Sequence, residues 1–348
     1  MKKRISVLLA ATLTAGLALS ACGAPPSSAA NAPQETATTE QIPVEPTATP
    51  AAATALAEDL QARAVEIQHD PDNYTDILRD VPYLDDDLDY HQVDLYGTTS
   101  EEVMPVVIEV HGGGFIGGNR ENNAAHCIFF AERNYKVVAT DYPRIPRDGN
   151  FIDAIQDLFV SYQWVADHAD DYGFDMSNVI LSGDSAGGYY VLLTCAIWNS
   201  PELQEYFGVT VPDFQFNGFV TTCPLADIRS MQADLELESG PNAHTAQTIG
   251  ADLLLNEDLM SHLDFMQSVD PQAFSNIYML TTPGDDVTGE TVQTFDSYLT
   301  ENGVPHTTIS YEGVENELSH TFNISHPEYS ESLVANQDMV DYCNSLLE

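Results

Sequence analysis

The sequence predicts an α/β fold, a mainly parallel central sheet with helices on both faces, and three observations carry that expectation. From Tyr90 onward, short β-branched runs alternate with longer stretches of helical spacing, the pattern of parallel strands joined by covering helices. Gly183-Asp184-Ser185-Ala186-Gly187 has the form GxSxG and falls between an expected strand and an expected helix. His111-Gly112-Gly113-Gly114 closes an earlier expected strand.

Taken in order, Tyr90–Tyr96, Pro105–Val110 and Lys136–Thr140 read as strands. Phe151–His168 carries Ile152, Ile155, Leu158, Phe159 and Tyr162 at helical spacing and reads as an amphipathic helix. Asn178–Leu181 reads as a strand and Ala186–Asn199 as a helix. Strands Phe216–Thr222 and Ile277–Thr281 follow, then helix Glu290–Glu301, strand Thr307–Tyr311 and a final helix from Pro327 to Leu347. Between Thr222 and Ile277 the connection is too long for a simple crossover. Its apolar stretches, Met231–Leu237 and Ala251–Met266, are consistent with a small helical cap at 225–275 or with an enlarged crossover.

The chain before this domain reads as an address. Lys2, Lys3 and Arg4 precede an apolar run from Val7 to Leu19, the layout of a signal peptide over residues 1–21. Leu19-Ser20-Ala21-Cys22-Gly23 resembles the lipobox of bacterial lipoproteins, which implies an acylated Cys22 and an anchor on the extracytoplasmic face of a bacterial membrane. Residues 22–55 are rich in Ala, Pro, Thr and Ser without apolar periodicity and read as a tether. The folded domain is expected over 56–348. Four further cysteines, Cys127, Cys195, Cys223 and Cys343, fit either disulfides or buried thiols.

Charge excludes one class of partner. With 54 acidic against 11 basic residues the net charge is −43, and no Lys or Arg follows Arg229. Such a chain has no cationic footprint for nucleic acid, and none for anionic lipid headgroups. A membrane partner therefore has to be reached through the lipid.

The chemistry is carried by a serine. A sharp strand-to-helix turn of small residues lifts the Ser185 hydroxyl from the strand end, with helix N–H groups aimed at what it attacks. The glycine run lets backbone N–H groups of Gly113 and Gly114, with that of Ala186, converge on a carbonyl oxygen as an oxyanion hole. A phosphate loop is the competing reading, but its lysine is absent. A base and an orienting acid are then required. His320, in the loop after the last strand, is preferred to His326, which precedes Pro327, and to His306, on the wrong side of that strand. Pro283-Gly284-Asp285-Asp286-Val287 follows strand Ile277–Thr281, and Asp285 is preferred to Asp286 as the acid, with Glu290 next.

The order of these motifs resembles the α/β-hydrolase superfamily, in the branch related to hormone-sensitive lipase. HGGGF at 111–115, GDSAGG at 183–188, the Asp285 region and HTF at 320–322 occur in sequence, and the likeness runs from about Val81 to the C-terminus. Asp94, Asp141 and Asp157 also stand at family-like positions. The resemblance implies a carboxylic-ester hydrolase with a Ser-His-Asp triad, no metal or cofactor, and a small or short-chain acyl ester as substrate. Asp141–Pro146 departs from the Tyr-Arg-Leu-Ala-Pro-Glu stretch common there, so the substrate is less defined than the chemistry. A serine peptidase of the same fold and a non-catalytic binding lipoprotein are the alternatives; ester turnover lost on removing Ser185 separates them.

Overall fold

A computed structural model describes residues 50–347. The expected signal peptide at 1–21, Cys22 and nearly all of the expected tether lie outside the described residues. Helix α1 (Pro50–Glu66) opens the described chain, six residues before the expected boundary at Leu56. A composition count treats an Ala-rich stretch as tether, but Ala is the strongest helix former and Pro50 suits a first helical turn.

The chain then runs through β1 (Ile77–Pro82), β2 (Gln92–Tyr96), β3 (Met104–Val110), α2 (Ala124–Ala131), β4 (Lys136–Thr140), α3 (Phe151–Asp167), α4 (Ala169–Tyr172) and β5 (Phe174–Asp184). The central helix α5 (Ser185–Trp198) and α6 (Pro201–Phe207) lead to β6 (Phe216–Thr222). After it come α7 (Ala243–Ile249), α8 (Glu257–Leu263), α9 (Phe265–Ser268), β7 (Ile277–Thr281), α10 (Gly289–Glu301), β8 (His306–Ser310), α11 (Phe322–Ser325) and α12 (Ser330–Leu346). The eight strands form one sheet in the order β1-β2-β4-β3-β5-β6-β7-β8. Only β1 with β2 and β2 with β4 are antiparallel; the other pairs are parallel, as expected.

Alternation along β3 explains the two cores. Val106, Ile108 and Val110 join the core shared with α3, α5, α6 and α10, whereas Val107 joins the one formed with α1, α2 and α12. Glu109 shares the face of Val107, and its carboxylate is buried there.

Strands β4, β6 and β7 coincide with the expected bounds. β5 is longer than the expected Asn178–Leu181 at both ends: Phe174 and Asp175 pair with Met104 and Pro105 of β3, and Ser182, Gly183 and Asp184 pair with Val220, Thr221 and Thr222 of β6. The last helix begins at Ser330 rather than Pro327. Pro327 instead enters a turn closed by Tyr329 N–H on the His326 carbonyl (3.1 Å). All four cysteines are buried and free, so among the described residues the buried-thiol reading holds.

Between β6 and β7 the chain is helical. Ile228, Met231, Ala246, Ile249, Leu259 and Met260 are buried in the α3–α5 core. Helix α7 stands beside two loops at the carboxyl ends of the strands. A Cβ placed on Gly114 would lie 3.0 Å from Thr245 Oγ1, and Asn242 Nδ2 donates to the Val287 carbonyl (2.8 Å).

Candidate active site

Ser185 sits where β5 turns directly into α5, with φ +51. A non-glycine residue in the left-handed region carries about 1–2 kcal/mol of strain, so packing must hold it there. The packing is tight. A Cβ at position 187 would lie 2.0 Å from the Val110 carbonyl, so only Gly187 lets α5 approach β3 this closely. The Ser185 carbonyl also accepts from Leu225 N–H (3.0 Å).

His320 Nε2 lies 2.9 Å from Ser185 Oγ, and its Nδ1 lies 2.9 Å from Asp285 Oδ1. The structure thus brings Ser185, His320 and Asp285 into one hydrogen-bonded chain from three separate loops. Asp285 Oδ1 also accepts from the N–H groups of Val287 and Thr288, and Oδ2 from the Thr288 hydroxyl. Burial pushes this carboxyl up, but the hydrogen bond and charge of His320, with the Thr288 donors, outweigh it and bring it down to about 2. Asp286 and Glu290 are exposed. His306 is engaged by Asp296 and the Val304 carbonyl, and His326 stacks on Tyr329; neither joins the chain.

The glycine loop is braced from below. Gly113 has φ +121, and a Cβ there would meet the Gly117 carbonyl at 2.2 Å. Its own carbonyl accepts from Ile116 and Gly117, while among the described residues nothing accepts from the N–H of Gly113 or Gly114. Gly112 N–H donates to Asp184 Oδ1 (2.7 Å), tying the loop to the serine turn. Asn123 Nδ2 donates to that same oxygen (2.8 Å) and to Glu109 Oε1 (2.6 Å). Burial raises Asp184, with the Asn123 hydrogen bond opposing. Burial also opposes ionisation of Glu109, yet the neighbouring His126 outweighs it and lowers that carboxyl.

The family-like aspartates serve the same bracing. Arg120 donates from Nε to Asp94 Oδ1 (2.8 Å) and from its backbone N–H to Asp141 Oδ1 (2.6 Å), and its guanidinium pairs with Asp141 and Asp80. Tyr142, stacked on His111, donates its hydroxyl to the His111 carbonyl (2.8 Å). Asp157 instead pairs with His91 Nε2 (2.9 Å).

The loop that carries His320 is fixed by Glu331 of α12. Its buried Oε1 accepts from the N–H groups of Val314, Glu315 and Asn316 (3.0, 2.8 and 3.1 Å), and Oε2 from Asn316 Nδ2 (2.7 Å). Burial opposes the charge, but Asn316 and these backbone donors lower the carboxyl to about 2. The folded value lies below the ordinary one. The stabilisation is therefore complete above about pH 4.5 and is lost as pH falls towards 2. Glu331→Gln is expected to cost about 1–3 kcal/mol at neutral pH and to flatten the acid limb of the stability curve, read by denaturant melts from pH 7 to 3.

Sequence reading missed Asn123, Thr288, Glu331 and Cys223. For Thr288 a signal existed: an Asp three residues before a Thr is the spacing of a side chain capping its own turn. Cys223 directly follows β6 with φ +44, and its Sγ, a carboxylate oxygen of Asp285 and a ring nitrogen of His320 lie within 4.8 Å of one another. Burial and the Asp285 charge push its thiol well up.

Comparison with known proteins gives a consistent picture. A family profile described as BD-FAE matches residues 93–280, more than half of the chain. Esterase LipI of Mycobacterium tuberculosis is 36% identical over 85 residues, 24% of this chain and 26% of that protein. Hormone-sensitive lipase of Mus musculus is 27% identical over 135 residues, 38% of this chain and 16% of that one. The matched part thus spans about a quarter or less of these two relatives. Among solved structures, Esterase B from Lactobacillus rhamnosis superposes with a TM-score of 0.70 at 27% identity, covering 85% of this chain and 94% of that one. The carboxylesterase EstE1, cloned from a metagenomic library, shares the fold at a TM-score of 0.62 and 18% identity. With its 1-2-4-3-5-6-7-8 sheet and this match, the chain has the α/β-hydrolase fold and belongs to the BD-FAE family.

Proposed function

We propose that the protein is a carboxylic-ester hydrolase that cleaves small or short-chain acyl esters through an acyl-enzyme on Ser185. The observation that carries this reading is the continuous Ser185–His320–Asp285 hydrogen-bonded chain, with two 2.9 Å links through one imidazole. His320 Nε2 takes the Ser185 proton as Oγ attacks the ester carbonyl, then returns it to the leaving alcohol. Asp285 holds the proton on Nδ1 and stabilises the imidazolium. The N–H groups of Gly113, Gly114 and Ala186 receive the developing oxyanion, and one such donor is commonly worth about 3 kcal/mol. Water activated by the same imidazole then hydrolyses the acyl-enzyme.

A short acyl group is supported by α7, whose Thr245 side chain stands directly over Gly114 of the glycine loop, 3.0 Å from where a Cβ would lie. It is supported also by Esterase B, solved in a form inhibited by a tributyrin phosphonate. The test is hydrolysis by the purified full chain of 4-nitrophenyl acetate, butyrate and decanoate, with a peptide 4-nitroanilide alongside. Acetate or butyrate turnover well above decanoate is expected; peptide cleavage without ester turnover would overturn the reading.

We also propose that the chain is exported and lipid-anchored through Cys22, on the strength of the Leu19–Gly23 motif directly after an apolar run. A single acyl chain anchors only marginally, so at least two are required. Cys22→Ala is expected to shift the protein from the membrane pellet to the soluble fraction or to leave it unprocessed. An unacylated mature N-terminus at any other residue would refute the anchor.

A further inference from the structure

The proposed cycle leaves one buried sulfur beside the triad unused. Cys223 Sγ, His320 and Asp285 supply a thiol, an imidazole and a carboxylate with their ligand atoms within 4.8 Å of one another. Among the described residues this is the group of three such donors so disposed. Thiolate with imidazole is the donor set of borderline-soft divalent ions, which hold sulfur at about 2.3 Å and nitrogen at about 2.0 Å. Around a tetrahedral ion those bond lengths place the ligand atoms about 3.3–3.5 Å apart, so Nδ1 and Oδ1, now 2.9 Å apart, part slightly to admit the ion. Cys223 and Asp285 are fixed in the interior, while the His320 side chain is 20% exposed and gives an ion its way in. The net charge of −43 raises the cation concentration at the surface.

We propose that Cys223, His320 Nδ1 and Asp285 form an inhibitory site for a thiophilic divalent cation of the Zn2+ or Cd2+ type. This rests on His320 being the base. On binding, the Sγ–H bond breaks and its proton passes to solvent, sulfur–metal and Nδ1–metal bonds form, and Asp285 exchanges a hydrogen bond for a metal–oxygen bond. The ring proton moves from Nδ1 to Nε2. Nε2 then donates to Ser185 Oγ instead of accepting from it, so the serine can no longer be deprotonated. Mg2+ and Ca2+, which prefer oxygen ligands, leave the site empty.

The experiment uses the chelator-stripped full chain. Zn2+ is titrated against hydrolysis of 4-nitrophenyl acetate with Mg2+ in parallel, and Cd2+ is titrated alone with ultraviolet detection of thiolate-to-cadmium absorption. Micromolar Zn2+ is expected to lower turnover at least tenfold, reversibly with EDTA, and Mg2+ to have no effect. Cys223→Ser and Cys223→Ala should each need at least tenfold more Zn2+, relative to their own metal-free rates. One equivalent of cadmium–thiolate absorption is expected in the folded chain with Cys22 acylated or replaced by alanine, and none in the same chain carrying Cys223→Ser. Unchanged Zn2+ sensitivity in the variants would overturn the site, and so would absence of the cadmium band. The band in the natural sequence needs no turnover, and the Cys223→Ser comparison is read on protein whose circular-dichroism spectrum matches that of the natural chain, since unfolding would expose the thiols of Cys127, Cys195 and Cys343. A chain that binds Cd2+ through Cys223 but hydrolyses no ester would therefore retain the site and refute the esterase reading.

Discussion

Ser185→Ala is expected to lower kcat for 4-nitrophenyl acetate by about 10^5- to 10^6-fold, because loss of the nucleophile removes the acyl-enzyme route altogether. The residual rate is that of the oxyanion donors and of binding, which together still exceed water. The fold should be indifferent. Serine and alanine meet the same restriction at φ +51, and among the described residues the replaced hydroxyl is hydrogen-bonded to His320 alone. A circular-dichroism melt unchanged within a few degrees would confirm that activity alone is lost. Retention of more than a hundredth of the rate would mean that another residue attacks the ester.

Asp285→Asn is expected to cost about 10^4-fold in kcat, since an amide at this position presents an N–H towards Nδ1 and favours the wrong tautomer. The loss should fall on kcat more than on KM, because the acid acts on the transition state. Asp286→Asn, one residue away but exposed, should stay within about twofold, as an exposed carboxylate contributes little. The pair is a sharp comparison: same chemistry, adjacent positions, opposite burial. Reversed effects would move the acid to Asp286. Equal and modest losses would move it out of this loop.

The parts of this molecule legible from sequence are those governed by local pattern. Strands β4, β6 and β7 are short runs of β-branched and apolar residues bounded by polar sequence, and period alone locates them. Ser185 and the 111–114 loop are legible because their glycines are demanded by backbone geometry within a few residues. β1 is not legible: it is an edge strand with Arg79 and Asp80 exposed, so no alternation survives, and Asp80 has φ +58. Helix α2 is buried along His126–Phe130, which erases the amphipathic stripe that announces a surface helix. Asn123, Glu331 and Cys223 were hidden for a different reason. Each acts through a partner brought close by the sheet order, and no spacing along the chain encodes that meeting.

That sheet order bears on how the site comes into being. From β5 outward the strands are laid down as β5, β6, β7 and β8, in the order of the chain. Each strand of a chain emerging N-terminus first therefore finds its neighbour already present, and growth proceeds at one free edge. Ser185 belongs to the start of this growth, Asp285 follows β7, and His320 follows β8. The three groups cannot meet until the last strand has docked and α12 has closed over the loop through Glu331. If this triad is the catalytic one, as proposed, competence is the final event of folding, and a chain cut short before His320 should hydrolyse no ester however well its central sheet has formed.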